Sequence, residues 1–81
     1  MTRLEVRNLP AWQLRGYLVD EMAGAADGDT VRGDGWTVRF VPGEAVVTRL
    51  SSIPVLFIEI AGEREAEIAA FMRRKTMRGG G

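Results

Sequence analysis

The chain has 81 residues, 46% of them apolar, and its 11 basic and 11 acidic residues give a formal net charge of zero. This length fits one domain, and the composition is that of a globular protein. The chain has no Cys and no His, which excludes disulfides and thiolate metal sites, so we expect no metal or cofactor. Balanced charge argues against a nucleic-acid partner, and no apolar run approaches the ~20 residues that cross a membrane. We expect a cytoplasmic protein.

The N-terminal segment predicts one strand followed by one helix. Leu4 and Val6 alternate with charged residues, as in a strand with one apolar face. Pro10 suits the first turn of a helix, where Asn8 or Leu9 would be the cap. Apolar side chains then recur at helical spacing, at Ala11, Leu14, Leu18 and Met22.

The middle of the chain predicts a loop and then three strands joined by turns. Residues 24–29 are rich in Gly and Asp, as in a loop. Glycines at 33 and 35 predict a tight turn between strands. The predicted strands cover residues 30–32, 36–41 and 45–50.

The most apolar segment, IPVLFIEI at residues 53–60, predicts a buried strand that leads into a second helix. That helix is expected to begin near Gly62, with acidic residues early and basic residues late, an order that complements the helix dipole. Residues 1–75 then form a single domain, and 76–81 a flexible Gly-rich tail. We expect Gly79, Gly80 and Gly81 to be dispensable, although a sulfur carrier would also end in glycines.

The patterns together predict an α+β fold with the order β-α-β-β-β-β-α. The sheet is antiparallel, and both helices pack on one face of it, against Leu56, Ile58 and Ile60.

Three segments of the chain resemble a known family. They are LEVRNLPAWQLRGYL, GDGWTVRF with PGEAVV after it, and IPVLFIEIAGEREAEIAAFM, and together they cover nearly the whole chain. They resemble the small C-terminal domain of MoaD-related proteins, a single copy of the fold of the TATA-binding protein. MoaD is the sulfur-carrier subunit of molybdopterin synthase, so the resemblance implies a link to sulfur-transfer or molybdopterin machinery. It implies no catalytic residue.

The open face of the sheet, opposite the helices, carries the main functional candidates. Alternation places Val55 and Phe57 on this face, and both are too apolar for a fully solvated surface. Either long Arg side chains cover them, or they form the centre of an interface with a second copy or another protein. The candidates on this face are Arg3, Arg7, Arg39, Val55 and Phe57.

Trp12 and Gly16 lie on the first helix but outside its apolar stripe. One interpretation is that the second helix packs over Gly16 and leaves Trp12 half-buried. The other is that Trp12 anchors an apolar patch that faces a partner.

We therefore expect a non-catalytic interaction domain that dimerises or docks on a protein partner through the open face. The alternative is a small-molecule or anion-binding domain with its site between sheet and helices. An RNA-stacking sheet ranks third, because such sheets use two or three aromatic residues and only Phe57 is securely placed.

Overall fold

The computed structural model describes residues 1–80, with side chains through Met77. Gly81 lies outside the described residues, and the tail over 76–81 stays a prediction. The elements in chain order are β1 (Thr2–Arg7), α1 (Ala11–Met22), β2 (Ala25–Asp27), β3 (Thr30–Gly33), β4 (Trp36–Pro42), β5 (Val46–Val47), β6 (Ser52–Ile53), β7 (Val55–Ala61) and α2 (Glu65–Gly80).

The main sheet has five strands in the order β1-β7-β4-β3-β2, and every neighbouring pair is antiparallel. The most apolar strand, β7, pairs with β1 on one side and β4 on the other. Its backbone N–H and C=O groups therefore have hydrogen-bond partners on both sides. Both helices pack on the same face, α2 over β1, β7 and β4, and α1 over β3 and β2. The α+β class and the one-sided helices are confirmed.

The core lies between this sheet face and the two helices. Alternate side chains of β7 are buried there, as the period of two requires. No polar or charged side chain in the described part of the chain is buried. The fully buried members of the core are Leu14, Leu18, Val31, Val38, Phe40, Ile58, Ile60, Ile68 and Met72.

Two predictions about the strands are wrong. The loop expected over 24–29 contains β2, which pairs with β3 through Ala26 opposite Val31. The strand expected over 45–50 shrinks to β5, which pairs with β6 in a separate two-stranded sheet. The reason is that β4 pairs directly with β7, with Pro42 opposite Leu56, so the intervening residues have no place in the main sheet.

Both helix starts also differ from prediction. Neither Asn8 nor Leu9 caps α1. Pro10 occupies the N-cap position, and no side chain makes a capping hydrogen bond to the first turn. The second helix begins at Glu65 rather than near Gly62, because Gly62 has a φ of 116° and makes a turn first. That turn docks on the β3–β4 turn, since the Arg64 N–H donates to the Gly35 carbonyl at 2.9 Å.

Candidate interaction face

The register of the sheet brings five of the six predicted site residues to the open face. Arg3 lies opposite Glu59, and Arg7 lies opposite Val55. On the other side of β7, Arg39 also lies opposite Glu59. Since cross-strand partners share a face, Arg3, Arg7, Arg39 and Val55 surround Phe57.

Phe57 is half-buried on this face. The Arg3 guanidinium carbon lies 4.1 Å from the ring centroid, a cation–π distance. The main chain of Gly43 lies beside the ring, since a Cβ atom at Gly43 would be 2.6 Å from the Phe57 Cε2 atom. The ring is therefore held in one position, and part of it remains accessible.

Val55 is only 8% exposed, although it lies outside the core between sheet and helices. Its carbonyl accepts the Gly43 N–H at 2.9 Å, which extends the β4–β7 ladder by one residue. A Cβ atom at Gly43 would be 3.2 Å from the Val55 Cγ1 atom. The chain that follows β4 therefore covers Val55, and Phe57 is the more accessible apolar side chain of the pair.

Each of the three predicted arginines on the open face has a carboxylate nearby. The Arg7 Nε lies 2.8 Å from the Glu5 Oε2, and the Arg3 Nε lies 3.8 Å from the Glu59 Oε2. The Arg39 Nε lies 3.6 Å from the Asp29 Oδ2. These pairs offset the positive charge of the three arginines, which suits a protein surface better than a phosphate backbone.

Trp12 belongs to a different surface. It lies on α1, in the helical layer, and is 69% exposed. No atom lies within 4 Å of a Cβ atom placed on Gly16, so the interpretation that α2 packs over Gly16 and leaves Trp12 half-buried is wrong. Trp12 is therefore exposed on a surface separate from that of Phe57.

An apolar groove of about 540 Å³ lies at one end of the sheet. Val55 lines it from the open face, and Ala11, the neighbour of Trp12, lines it from the first helix. Three of its lining residues are prolines that lie at the ends of elements, Pro10, Pro42 and Pro54. The remaining lining residues are Asn8, Leu9 and Leu56.

The β5–β6 hairpin exposes two apolar side chains that the sequence prediction did not single out. Val47 is 77% exposed and Leu50 is 96% exposed. The turn is closed by the Thr48 hydroxyl, which accepts the N–H groups of Leu50 and Ser51 at 3.3 and 3.0 Å. The hairpin is therefore a defined structure with an apolar tip.

The charged groups with shifted pKa values lie at the start of α2. The Thr2 hydroxyl donates to Glu65, and the N-terminal amine lies 3.2 Å from the Glu65 Oε1; both lower the pKa of Glu65. Arg64 donates to both Glu67 oxygens, at 2.9 and 2.6 Å, which lowers the pKa of Glu67. These contacts fasten α2 to β1 and stabilise its first turn.

Residues 1–80 contain no group of three acidic side chains placed to hold a metal ion, and the described helices include none long and apolar enough to cross a membrane.

Comparison with known proteins supports the resemblance drawn from the sequence. The curated proteins contain no match to the chain. The family model described as archaeal MoaD-like protein matches residues 2–81, which is nearly the full length. The chain therefore belongs to the archaeal MoaD-like protein family.

Proposed function

We propose that this protein is a non-catalytic interaction domain that docks on a protein partner through the open face of its sheet. The observation that carries the proposal is the position of Phe57, half-buried on the interior strand β7 and held between Arg3 and Gly43. A ring that is already ordered loses little conformational entropy when a partner covers it.

The surroundings of Phe57 have the composition of an interface. Aromatic residues and arginine are enriched at the centres of protein interfaces. Here an aromatic ring lies under Arg3, with Arg7 and Arg39 further out, and each arginine is close to a carboxylate. Such pairs can exchange one carboxylate for another when a partner approaches, which favours a protein with acidic and apolar side chains at its docking site.

Family membership suggests where to look for the partner. The chain belongs to a MoaD-like family, and MoaD is the sulfur-carrier subunit of molybdopterin synthase. We therefore propose a partner from sulfur-transfer or molybdopterin machinery, either the sulfur carrier itself or the catalytic subunit of the synthase.

The alternative of a small-molecule or anion site between sheet and helices has less support. In the described part of the chain no polar or charged side chain is buried in that layer. Among the described residues the one buried side-chain donor without a hydrogen-bond partner is the Trp36 Nε1 atom, and a single neutral N–H does not replace the hydration that an anion would lose there.

The test is an NMR titration of the labelled protein with each proposed partner. Amide shifts should change at Arg3, Phe57 and Arg39, while those of Val19 on α1 should not. Binding to neither protein, or shift changes confined to the helical layer, would contradict the proposal.

A further inference from the structure

β1 forms one edge of the main sheet and has an unpaired side along its full length of six residues. The opposite edge, β2, has only three residues, and short edge strands are a common protection against unwanted pairing. β1 lacks that protection and contains no Pro. Its free side is a template for a further strand.

One hydrogen bond shows which backbone groups of β1 face outward. The Asn8 N–H donates to the Pro54 carbonyl at 3.0 Å, and this pair continues the β1–β7 register by one residue beyond Arg7 and Val55. Bonded and non-bonded pairs alternate along an antiparallel ladder. Val6, Leu4 and Thr2 therefore bond to β7, and the backbone groups of the residues between them point away from the sheet. The outward-facing residues are Arg3, Glu5 and Arg7.

A second copy is a suitable occupant because its β1 complements this edge in charge. If two copies pair through β1 about a two-fold axis, the backbone hydrogen bonds between them must form between outward-facing residues of the two strands. Centring the pair on Glu5 would place Glu5 opposite the partner's Glu5, and Arg3 opposite the partner's Arg7. Centring it on Arg3 would place two arginines together. Centring it on Leu4 places Arg3 opposite the partner's Glu5, twice by symmetry, and opposite charges across a pair are stabilising. Centring it on Val6 would also pair opposite charges, Glu5 with the partner's Arg7, but it would overlap only residues 5–7 of β1, whereas the Leu4 centre overlaps residues 2–6.

Leu4 supports the same centre. Its neighbour across β1–β7, Ile58, is fully buried, whereas Leu4 at the edge is only half-buried. In the Leu4-centred register, Leu4 would meet the partner's Leu4 in a non-bonded pair, the closer of the two pair types. Dimerisation would therefore cover the apolar surface that the monomer leaves exposed at this edge.

We infer that β1 pairs with β1 of a second copy about a two-fold axis at Leu4, with Arg3 opposite the partner's Glu5. The two five-stranded sheets then form one continuous sheet, and the two open faces become neighbours. This inference does not rest on the proposed function, because it is argued from the edge of the sheet; Arg3 is the one residue that both proposals use.

The test is a charge-swap series measured by sedimentation equilibrium. Arg3→Glu and Glu5→Arg each place like charges opposite one another and should weaken the dimer at least about 10-fold. The double variant Arg3→Glu/Glu5→Arg restores opposite charges and should dimerise within about 3-fold of wild type. The side chain of Arg3 is 56% exposed and that of Glu5 is 44% exposed, so we expect all variants to fold, as circular dichroism would verify.

Hydrogen exchange supplies a second readout on the wild-type protein. The Arg3 and Glu5 amides should become protected as concentration rises, while Leu4 and Val6, bonded to β7, stay protected throughout. A wild type that is monomeric at about 1 mM, single variants that dimerise like wild type, or a double variant as weak as the singles would each overturn the inference.

Discussion

The ring of Phe57 lies against the main chain of Gly43, where a Cβ atom would stand 2.6 Å from the ring atom Cε2. The two residues belong to different parts of the chain and meet because the Gly43 N–H bonds to the Val55 carbonyl. Because residue 43 has no side chain, the ring of Phe57, the main interface candidate, can occupy this position.

This contact predicts a coupling between the two positions. Gly43→Ala should destabilise the wild type by about 1–3 kcal/mol, because the added methyl group forces the ring to move. In a Phe57→Ala background the same change should be neutral or stabilising, since Ala also restricts the unfolded chain. Urea unfolding of the four proteins measures the coupling, and equal effects of Gly43→Ala in both backgrounds would show that the ring and residue 43 are independent.

Two glycines should respond in opposite directions to replacement by alanine. Gly62 has a φ of 116°, and a Cβ atom there would be 2.4 Å from the Gly35 oxygen, so Gly62→Ala should cost ~3 kcal/mol or more. Gly16 is inside α1 with open space around it, so Gly16→Ala should stabilise by about 0.5–1 kcal/mol. Thermal unfolding followed by calorimetry compares the two; a lower melting temperature for Gly16→Ala would mean that its surroundings are not open.

β7, an interior strand of the sheet, should be the part of the fold most sensitive to truncation. Ile58 is fully buried in the core, so Ile58→Ala should cost about 2–5 kcal/mol. The matched control Val47→Ala removes a similar side chain that is 77% exposed and should change stability by less than about 0.5 kcal/mol. Chemical denaturation gives both values, and similar losses at the two positions would contradict the assignment of the core.

Glu65 should make stability depend on pH in the acid range. Its pKa is lowered by the Thr2 hydroxyl and by the N-terminal amine, so the carboxylate form is favoured in the folded state. Its contribution is complete above the unfolded glutamate pKa of about 4.3 and disappears as pH falls through the lower folded value. Glu65→Gln removes the contribution, so the stability difference from wild type should shrink as pH falls. Unfolding curves at several pH values test this, and a difference that stays constant would count against it.

Local patterns predicted much of the fold, because they act over a few residues. The alternation of Leu56, Ile58 and Ile60 with Val55 and Phe57 assigned both faces of β7 correctly. The tight turn between β3 and β4 was also predicted, since the glycines at its ends are a local signal.

Features that depend on strand pairing could not be predicted. β2 has the sequence AAD, which has little intrinsic preference for a strand, and it forms by pairing with β3. The residues at 45–50 look like a strand, but the direct pairing of β4 with β7 excludes them from the main sheet. The cover of Val55 by Gly43 depends on that same register.

The placement of the candidate residues divides in the same way between local patterns and strand or helix packing. Alternation placed Arg3, Arg7 and Phe57 on one face correctly, because strand period alone decides it. The exposure of Trp12 depends on where α2 packs, and the sequence of α1 carries no information about that position. The apolar tip of the β5–β6 hairpin was missed for the same reason.

The most direct test of the open-face proposal is the affinity for the sulfur carrier and for the catalytic subunit of molybdopterin synthase, measured by calorimetry for wild type and two variants. Phe57→Glu buries a charge in the proposed contact and should weaken binding by at least about 30-fold, as expected for a hot-spot residue. Val19→Glu is the matched control, since it places the same charge at an apolar residue of α1 that is 38% exposed, and it should bind like wild type. Equal binding by Phe57→Glu and wild type would show that the open face is not the docking surface.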